Sequence, residues 1–111
     1  MIGGVALAAV AAFNLVCVSL GEAPSKAELR IDLSKKRWCR DKCAGTYPIF
    51  SANSYEIVLA HEREAEWEWW EKVNRETGAY ISYFKSDGTT PIIVTSNCKK
   101  ARFGGFPASR F

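Results

Sequence analysis

Charged side chains are absent from the first 21 residues, although the rest of the 111-residue chain carries 15 Lys and Arg and 12 Asp and Glu. An uncharged start rich in Ala, Val and Leu is typical of an export signal or a membrane anchor. The sequence also lacks internal repeats, low-complexity linkers and nucleic-acid-binding motifs, so we expect no nucleic-acid partner. No residues mark a nucleophile with its base or an oxyanion hole, and we therefore expect no enzyme activity and no cofactor.

The apolar segment fits a signal peptide better than a membrane span. Val5–Leu20 supplies the apolar region, and Ser19-Leu20-Gly21 places small residues where signal cleavage requires them. Asn14 and five alanines between residues 6 and 12 make the segment only moderately hydrophobic for permanent residence in lipid. We therefore predict that residues 1–21 form an apolar helix that is removed after export. A retained membrane anchor is the main alternative, because the usual basic start of a signal is missing.

Cysteine is scarce in residues 22–111, the domain expected to remain. Only Cys39, Cys43 and Cys98 are present there, which predicts one disulfide and one free thiol in an oxidising compartment. The sequence does not decide among the three pairings. A bridge from Cys39 or Cys43 to Cys98 is favoured, because closing a long loop stabilises by about 4 kcal/mol on the chain-entropy model. Zinc bound by these thiols and His61 is disfavoured, since the ligands do not form two close pairs. Cys17 could instead carry a lipid if the start were a lipoprotein signal.

Short β-rich runs between turn signals predict an all-β domain. Leu29, Ile31 and Leu33 alternate with polar residues, as in a half-buried strand. Residues 74–78 read as a hairpin turn with Gly78 at a position that tolerates positive φ. Further strands are predicted over residues 47–51, 55–60, 80–84 and 92–95. The fold class is a small antiparallel meander or partly open barrel, preceded by the N-terminal apolar helix.

Residues 57–72 are ambiguous between strand and helix. The run from His61 to Glu66 is rich in helix-forming residues, and a helix there would give an α+β fold. The apolar positions of this segment do not repeat at helical spacing, however. We expect a charged hairpin tip at residues 61–65 with a strand on each side.

The most unusual cluster is Trp67-Glu68-Trp69-Trp70. In a strand, Trp67 and Trp69 face one side and Trp70 the other, so one side packs in the core and the other could bind a glycan or a protein. Trp67, Trp69, Trp70 and Glu68 are therefore the candidate binding residues. Glu71 and Val73 continue the face of Trp67 and Trp69. Glu66, Glu68 and Glu71 are candidate acid–base residues, since Glu66 and Glu68 share a strand face at about 7 Å, within the range of paired catalytic carboxylates, but a solvated acidic face is the favoured interpretation.

The Trp-Cys pair at residues 38–39 with Cys43, the turn at residues 74–78, Cys98 and the tail Phe103–Phe111 together carry a resemblance. They resemble small exported proteins of unknown function from alphaproteobacteria, and the resemblance covers nearly all of residues 22–111. It implies an exported domain with structural cysteines and a tail that packs across it. The chain is more loosely similar to small β-barrel inhibitors of lysozyme, although their Ser-Gly-x-x-Tyr loop is absent.

Charge is distributed unevenly, with two basic ends around an acidic middle. The basic stretch Lys35–Arg40 would touch anionic lipid only if residues 1–21 stay uncleaved. Taken together, these features predict an exported, non-catalytic binding domain, periplasmic or secreted, whose partner is a protein or glycan of the cell envelope. The alternatives are an accessory subunit anchored to the inner membrane and facing the periplasm, and a glycan-binding or lysozyme-inhibitor-like domain.

Overall fold

The computed structural model describes residues 11–106, which form nine β-strands and no helix. All strands join one antiparallel sheet in the order β4-β3-β2-β1-β9-β8-β7-β6-β5. The strands are β1 (Ala12–Ser19), β2 (Lys26–Asp32), β3 (Arg37–Arg40), β4 (Tyr47–Pro48), β5 (Ser51–Ala52), β6 (Glu56–Arg63), β7 (Trp67–Asn74), β8 (Ala79–Ser86) and β9 (Ile92–Arg102). The all-β antiparallel prediction is confirmed.

The sheet curls into a half-barrel whose two ends are joined by the chain itself. The end strands β4 and β5 are separated by only Ile49 and Phe50. The Ile49 amide donates to the Lys36 carbonyl at 2.9 Å, whereas the Phe50 amide donates to the Val58 carbonyl at 3.0 Å. The chain therefore leaves one end of the sheet and joins the other within two residues, which forces the sheet to curve. The predicted strand over residues 47–51 is split accordingly.

The core lies on the concave face of this curve. Leu29 and Ile31 are fully buried there, whereas Arg30 between them lies on the convex face, as strand alternation requires. Full burial of such an apolar side chain contributes about 1.5–3 kcal/mol. The buried core cluster comprises Phe13, Leu15, Cys17, Leu29, Ile31, Trp38, Ile57, Leu59, Ala60, Val73 and Tyr80.

The apolar start forms a central strand rather than a helix within the described residues. Ala12–Ser19 pairs with β2 on one side and with β9 on the other. Phe13, Leu15 and Cys17 point into the core from it. The predicted N-terminal helix is thus wrong for residues 12–19, and its part over residues 1–10 lies outside the described residues. The residue types explain the difference, because core-facing Leu15 and Cys17 alternate with the β-branched Val16 and Val18, a pattern that suits a strand.

Two disulfides occur where one was predicted. Cys17 in β1 bonds to Cys98 in β9, and Cys39 bonds to Cys43, so no free thiol remains among the described residues. The prediction of a bridge from Cys39 or Cys43 to Cys98 is wrong, because Cys17 lies directly opposite Cys98 in the β1–β9 ladder. The Cys98 amide donates to the Gly78 carbonyl and therefore points away from β1. Cys17 and Cys98 are thus a non-hydrogen-bonded pair of the β1–β9 ladder, with Cα atoms 4.0 Å apart.

The segment 57–72 forms two strands, as predicted, but the tip between them is not at the predicted residues 61–65, because residues 61–63 still belong to β6 and only residues 64–66 lie between the strands. β6 runs to Arg63 and β7 starts at Trp67, with the tight turn closed by the Glu64 amide and the Trp67 carbonyl at 2.8 Å. A β-bulge between Val58 and Ala60 shifts the register of β6 against β7. The bulge turns two successive residues toward the core, which explains why the apolar pattern fits neither period cleanly.

The predicted turn at residues 74–78 is confirmed. The Asn74 side-chain oxygen accepts the amides of Glu76 and Thr77 at 2.9 and 3.0 Å, and Gly78 has a φ of +79°. An Asx-type turn followed by a left-handed glycine reverses the chain from β7 into β8.

We expect Gly78→Ala to lower the free energy of unfolding by at least about 2 kcal/mol. Two causes add up. A Cβ atom at Gly78 would lie 2.7 Å from the Cys98 carbonyl oxygen, and the positive φ is itself unfavourable for alanine. The matched control is Gly88→Ala, where φ is +72° and no atom lies within 4 Å of the added carbon. Urea unfolding of both variants checks the difference, and equal losses would contradict the close approach to Cys98.

The C-terminal tail packs back on the convex face as far as it is described. The Gly104 amide donates to the Asn14 side chain at 3.1 Å, and Arg30 donates to the Gly105 carbonyl at 2.8 Å. Phe103 and Phe106 meet edge to face with ring centroids 5.2 Å apart. The predicted packing of the tail is confirmed for these residues, whereas residues 107–111 lie outside the described range.

Candidate functional site

The candidate site is a groove where the curled sheet is not closed by backbone pairing. β5 pairs with β6 only at Ile57 and Val58, so the part of β6 beyond the bulge faces β4 across an open seam. Two adjoining cavities of about 680 and 330 Å³ fill this space, which we call the seam groove. Both cavities are lined by Trp38, Tyr47, Glu62 and Trp69.

Aromatic rings form the floor and the walls of the seam groove. Trp38 is almost fully buried, its ring 5.4 Å from that of Tyr47 and its indole nitrogen bonded to the Leu59 carbonyl at 2.9 Å. Tyr47 is 54 % exposed and stands at the mouth, and Trp69 is half-buried on the other side. The indole of Trp38 thus satisfies a β6 carbonyl that no strand reaches, and it fixes the groove floor.

A buried carboxylate anchors one end of the seam groove. Glu71 in β7 is 2 % exposed and accepts hydrogen bonds from the Arg40 guanidinium and the Tyr80 hydroxyl on one oxygen. Its other oxygen accepts the Trp69 indole nitrogen at 2.9 Å. Arg40 also donates to the Tyr80 hydroxyl. A buried charge persists only when it is paired and hydrogen-bonded, and here three side chains from β3, β7 and β8 meet that need.

This network shifts the pKa values of two of its members. Burial and the neighbouring Glu71 carboxylate raise the pKa of Tyr80 far above its ordinary value of 10.0. Burial alone would lower the pKa of Arg40, but the oxygens of Tyr80 and Glu71 outweigh it and raise that pKa. Both shifts keep the guanidinium charged and the phenol neutral, which is the state that holds the hydrogen bonds.

Because folded Tyr80 keeps its proton above pH 10 and an unfolded tyrosine does not, we expect stability to fall as pH rises beyond that value. Above that pH the unfolded state binds fewer protons than the folded state, so the contribution of Tyr80 is complete below pH 10 and is lost progressively as the pH rises from 10 toward the raised pKa of the folded state. Urea unfolding of the wild type and of Tyr80→Phe from about pH 8 to about pH 11 measures this. The advantage of the wild type should shrink at the alkaline end, and a difference that stays constant would exclude the shift.

The loop after β3 forms the outer lip of the seam groove. The Cys39–Cys43 disulfide ties its start, and Arg37 donates to the Thr46 hydroxyl at 2.9 Å and to the Thr46 carbonyl at 2.6 Å. The basic stretch predicted as a possible lipid contact is therefore divided. Arg37 holds the loop and Arg40 binds Glu71, so these two charges serve the fold around the groove.

The four sequence-predicted binding residues lie on two faces. Trp67 and Trp69 point to the concave side, whereas Glu68 and Trp70 point to the convex side, so the structure does not bring them together. Only Trp69 lines the seam groove. On the convex side Trp70 stacks on Tyr83 with ring centroids 4.9 Å apart, and the Lys72 ammonium lies 4.9 Å from the Trp70 ring.

Sequence reasoning missed Arg40, Tyr47, Tyr80 and Glu71 as site residues. For Tyr47 and Tyr80 the sequence predicts only that they lie in strands. Glu71 is predicted only as one of several acidic residues in its segment. One available signal was the position of Glu71 on the same predicted face as Trp69 and Val73, because an acid on an apolar face needs a cation nearby. Nothing in the sequence indicated that this cation is Arg40.

Comparisons with family models, with curated proteins and with solved structures found no match to this chain. Residues 11–106 contain no helix that could cross a membrane. The described residues also contain no group of three or more His, Cys, Asp and Glu side chains placed to hold a metal ion. The two disulfides indicate an oxidising environment outside the cytoplasm.

Proposed function

We propose that this protein is an exported, non-catalytic binding domain, acting in the periplasm or after secretion, and that it binds its ligand in the seam groove. The observation that carries the proposal is the combination of an open seam with exposed Tyr47, half-buried Trp69 and an immobilised Arg40. Concave sites with aromatic walls and a few fixed polar groups are the usual ligand sites of proteins. Both oxygens of Glu71 are engaged in hydrogen bonds, which suits a scaffolding role better than proton transfer.

The Arg40 guanidinium has donors left for a ligand. Its bonds to Glu71 and Tyr80 both use Nη2, so within the described residues Nε and Nη1 carry no partner. The side chain is 41 % exposed and lines the groove. A guanidinium held in place on one side presents its remaining donors at little entropic cost.

Capture of envelope components on the immobilised, tagged protein tests the proposal. Tyr47→Ala removes the exposed groove wall, and Tyr55→Ala is the matched control, since Tyr55 is 67 % exposed and does not line the groove. The wild type and the Tyr55 variant should retain the same component, and the Tyr47 variant should lose it. Equal retention by all three would place the binding surface elsewhere.

The convex Trp70–Tyr83 stack favours a second candidate, binding of a glycan on that face. Stacked aromatic rings beside Lys72 offer apolar area with a hydrogen-bond donor. Titration with peptidoglycan fragments should then change the tryptophan fluorescence of the wild type and of Tyr47→Ala, but not that of Trp70→Ala. A response that depends on Tyr47 instead would assign the glycan to the seam groove.

A further inference from the structure

The edge of β6 that faces the seam groove has backbone groups without strand partners. The Glu64 amide donates to Trp67, so in this hairpin Glu62 and Ala60 also turn their backbone groups toward β7. His61 and Arg63 then turn theirs toward the seam. Among residues 11–106, β5 meets this edge only at Ile57 and Val58, and no strand pairs with it beyond the bulge.

From this edge we infer that an extended, basic peptide segment of a partner protein adds as a strand to β6 along residues 60–63. The inference rests on the proposed binding function and names its ligand. Strand addition supplies main-chain hydrogen bonds for affinity, and alternate side chains of the added strand supply specificity. Every second side chain of such a strand would point into the seam groove, toward Tyr47 and Trp69.

The charge of the edge determines the chemistry of the partner. The end of the β6–β7 hairpin, from residue 61 in β6 to residue 68 in β7, carries four glutamates and a single arginine, and Glu62, Glu64 and Glu66 are exposed. Acidic side chains beside a free edge attract Lys and Arg and repel acidic segments. Charged residues of this kind also protect an edge from indiscriminate pairing.

A second copy of this chain fits the edge poorly. Antiparallel self-pairing through the free backbone groups of His61 and Arg63 would place the two Glu62 side chains opposite each other. A register centred on Arg63 would oppose the two arginines in the same way. Like charges directly opposite in a sheet are destabilising, which disfavours both of these self-pairing registers and favours a basic partner over them.

Two synthetic peptides, Lys-Val-Lys-Phe-Lys-Val-Lys and its analogue with Glu in place of Lys, test the inference. We expect the basic peptide to bind and to slow hydrogen exchange at the amides of His61 and Arg63, measured by NMR. Two further basic peptides are N-methylated at every second residue, one at the odd and one at the even positions. The one whose methyl groups face β6 should protect these amides much less, because it cannot form the hydrogen-bonded ladder. Binding of the acidic peptide with similar affinity would contradict the charge argument.

Arg63→Pro is the decisive variant, because it removes an amide that points to the seam without removing a β6–β7 hydrogen bond. Its affinity for the basic peptide should fall at least about tenfold, whereas Arg63→Ala, which loses the same charge, should bind at least as well as the wild type.

Three results would each overturn strand addition: equal binding by the Pro and Ala variants, unchanged binding of both N-methylated peptides, or no binding of the basic peptide at about 1 mM. If the Tyr47-dependent capture succeeds while the peptide fails, only strand addition is wrong. If both fail, the binding function of the groove is wrong as well.

Discussion

Deletion of residues 1–21 is expected to abolish cooperative folding. The deletion removes β1, which pairs with β2 and β9 in the middle of the sheet order. It also removes the buried side chains of Phe13 and Leu15, at about 1.5–3 kcal/mol each, and the long-range disulfide of Cys17, at about 4–5 kcal/mol on the chain-entropy model. These losses approach the whole stability of a small domain, about 5–15 kcal/mol.

The matched control begins at Ala11 and keeps every described strand. Dispersion of amide signals in NMR spectra and a cooperative urea transition should be retained by this control and lost by the chain that begins at Glu22. A folded 22–111 chain would contradict the central place of β1. The expectation also bears on processing, because cleavage after Gly21, predicted from the sequence, would remove the strand. The intact mass of the folded protein, isolated from the cells that produce it, should therefore include residues 12–19.

The strands and their turns could be predicted from the sequence because the residues that determine them are close together in the chain. The alternation around Leu29 and Ile31 and the turn ending at Gly78 both depend on neighbouring residues only. At the N-terminus, local sequence gave the wrong prediction, a helix in place of strand β1. An uncharged run of Ala, Val and Leu fits a signal helix and a buried central strand equally well, and only the pairing with β2 and β9 decides between them.

The seam groove could not be predicted because it depends on contacts far apart in sequence. Arg40 and Glu71 are 31 residues apart, and Arg40 and Tyr80 are 40 apart. The disulfide of Cys17 and Cys98 spans 81 residues. Period and spacing carry no information about such pairs, whereas the curl of the sheet brings them together. The split of the tryptophan cluster across two faces, in contrast, followed from strand alternation alone.

The position of Glu71 links the stability of the half-barrel to its candidate site. The carboxylate joins β3 to β7 and β8 across the concave face, and the same residue orients Arg40 and Trp69 at the groove. Both oxygens of the Glu71 carboxylate are hydrogen-bonded, which fixes the side chains around it, so the same bonds that hold the curl also preorganise the groove.

We therefore expect Glu71→Ala to lower the free energy of unfolding by about 3 kcal/mol, at the lower end of the range for breaking a buried pair, since Arg40 is 41 % exposed to water. The loss leaves the Arg40 charge and the Trp69 and Tyr80 donors without their acceptor. Urea unfolding followed by tryptophan fluorescence measures it. Glu68→Ala is the matched control, because Glu68 lies on the convex face of the same strand, and it should cost less than about 1 kcal/mol.

A double-mutant cycle separates the network from simple loss of charge. Tyr80→Phe removes one donor to Glu71, so Glu71→Ala should cost less in the Tyr80→Phe background than in the wild type. Additive losses would mean that the two side chains do not interact in solution. Equal losses for Glu71→Ala and Glu68→Ala would mean that the carboxylate is not buried, and the preorganised groove would lose its basis. Glu71→Gln keeps the shape of the side chain but not its charge. If the losses are unequal and non-additive, and if Glu71→Gln also captures less ligand, the same carboxylate stabilises the curved sheet and organises the candidate site.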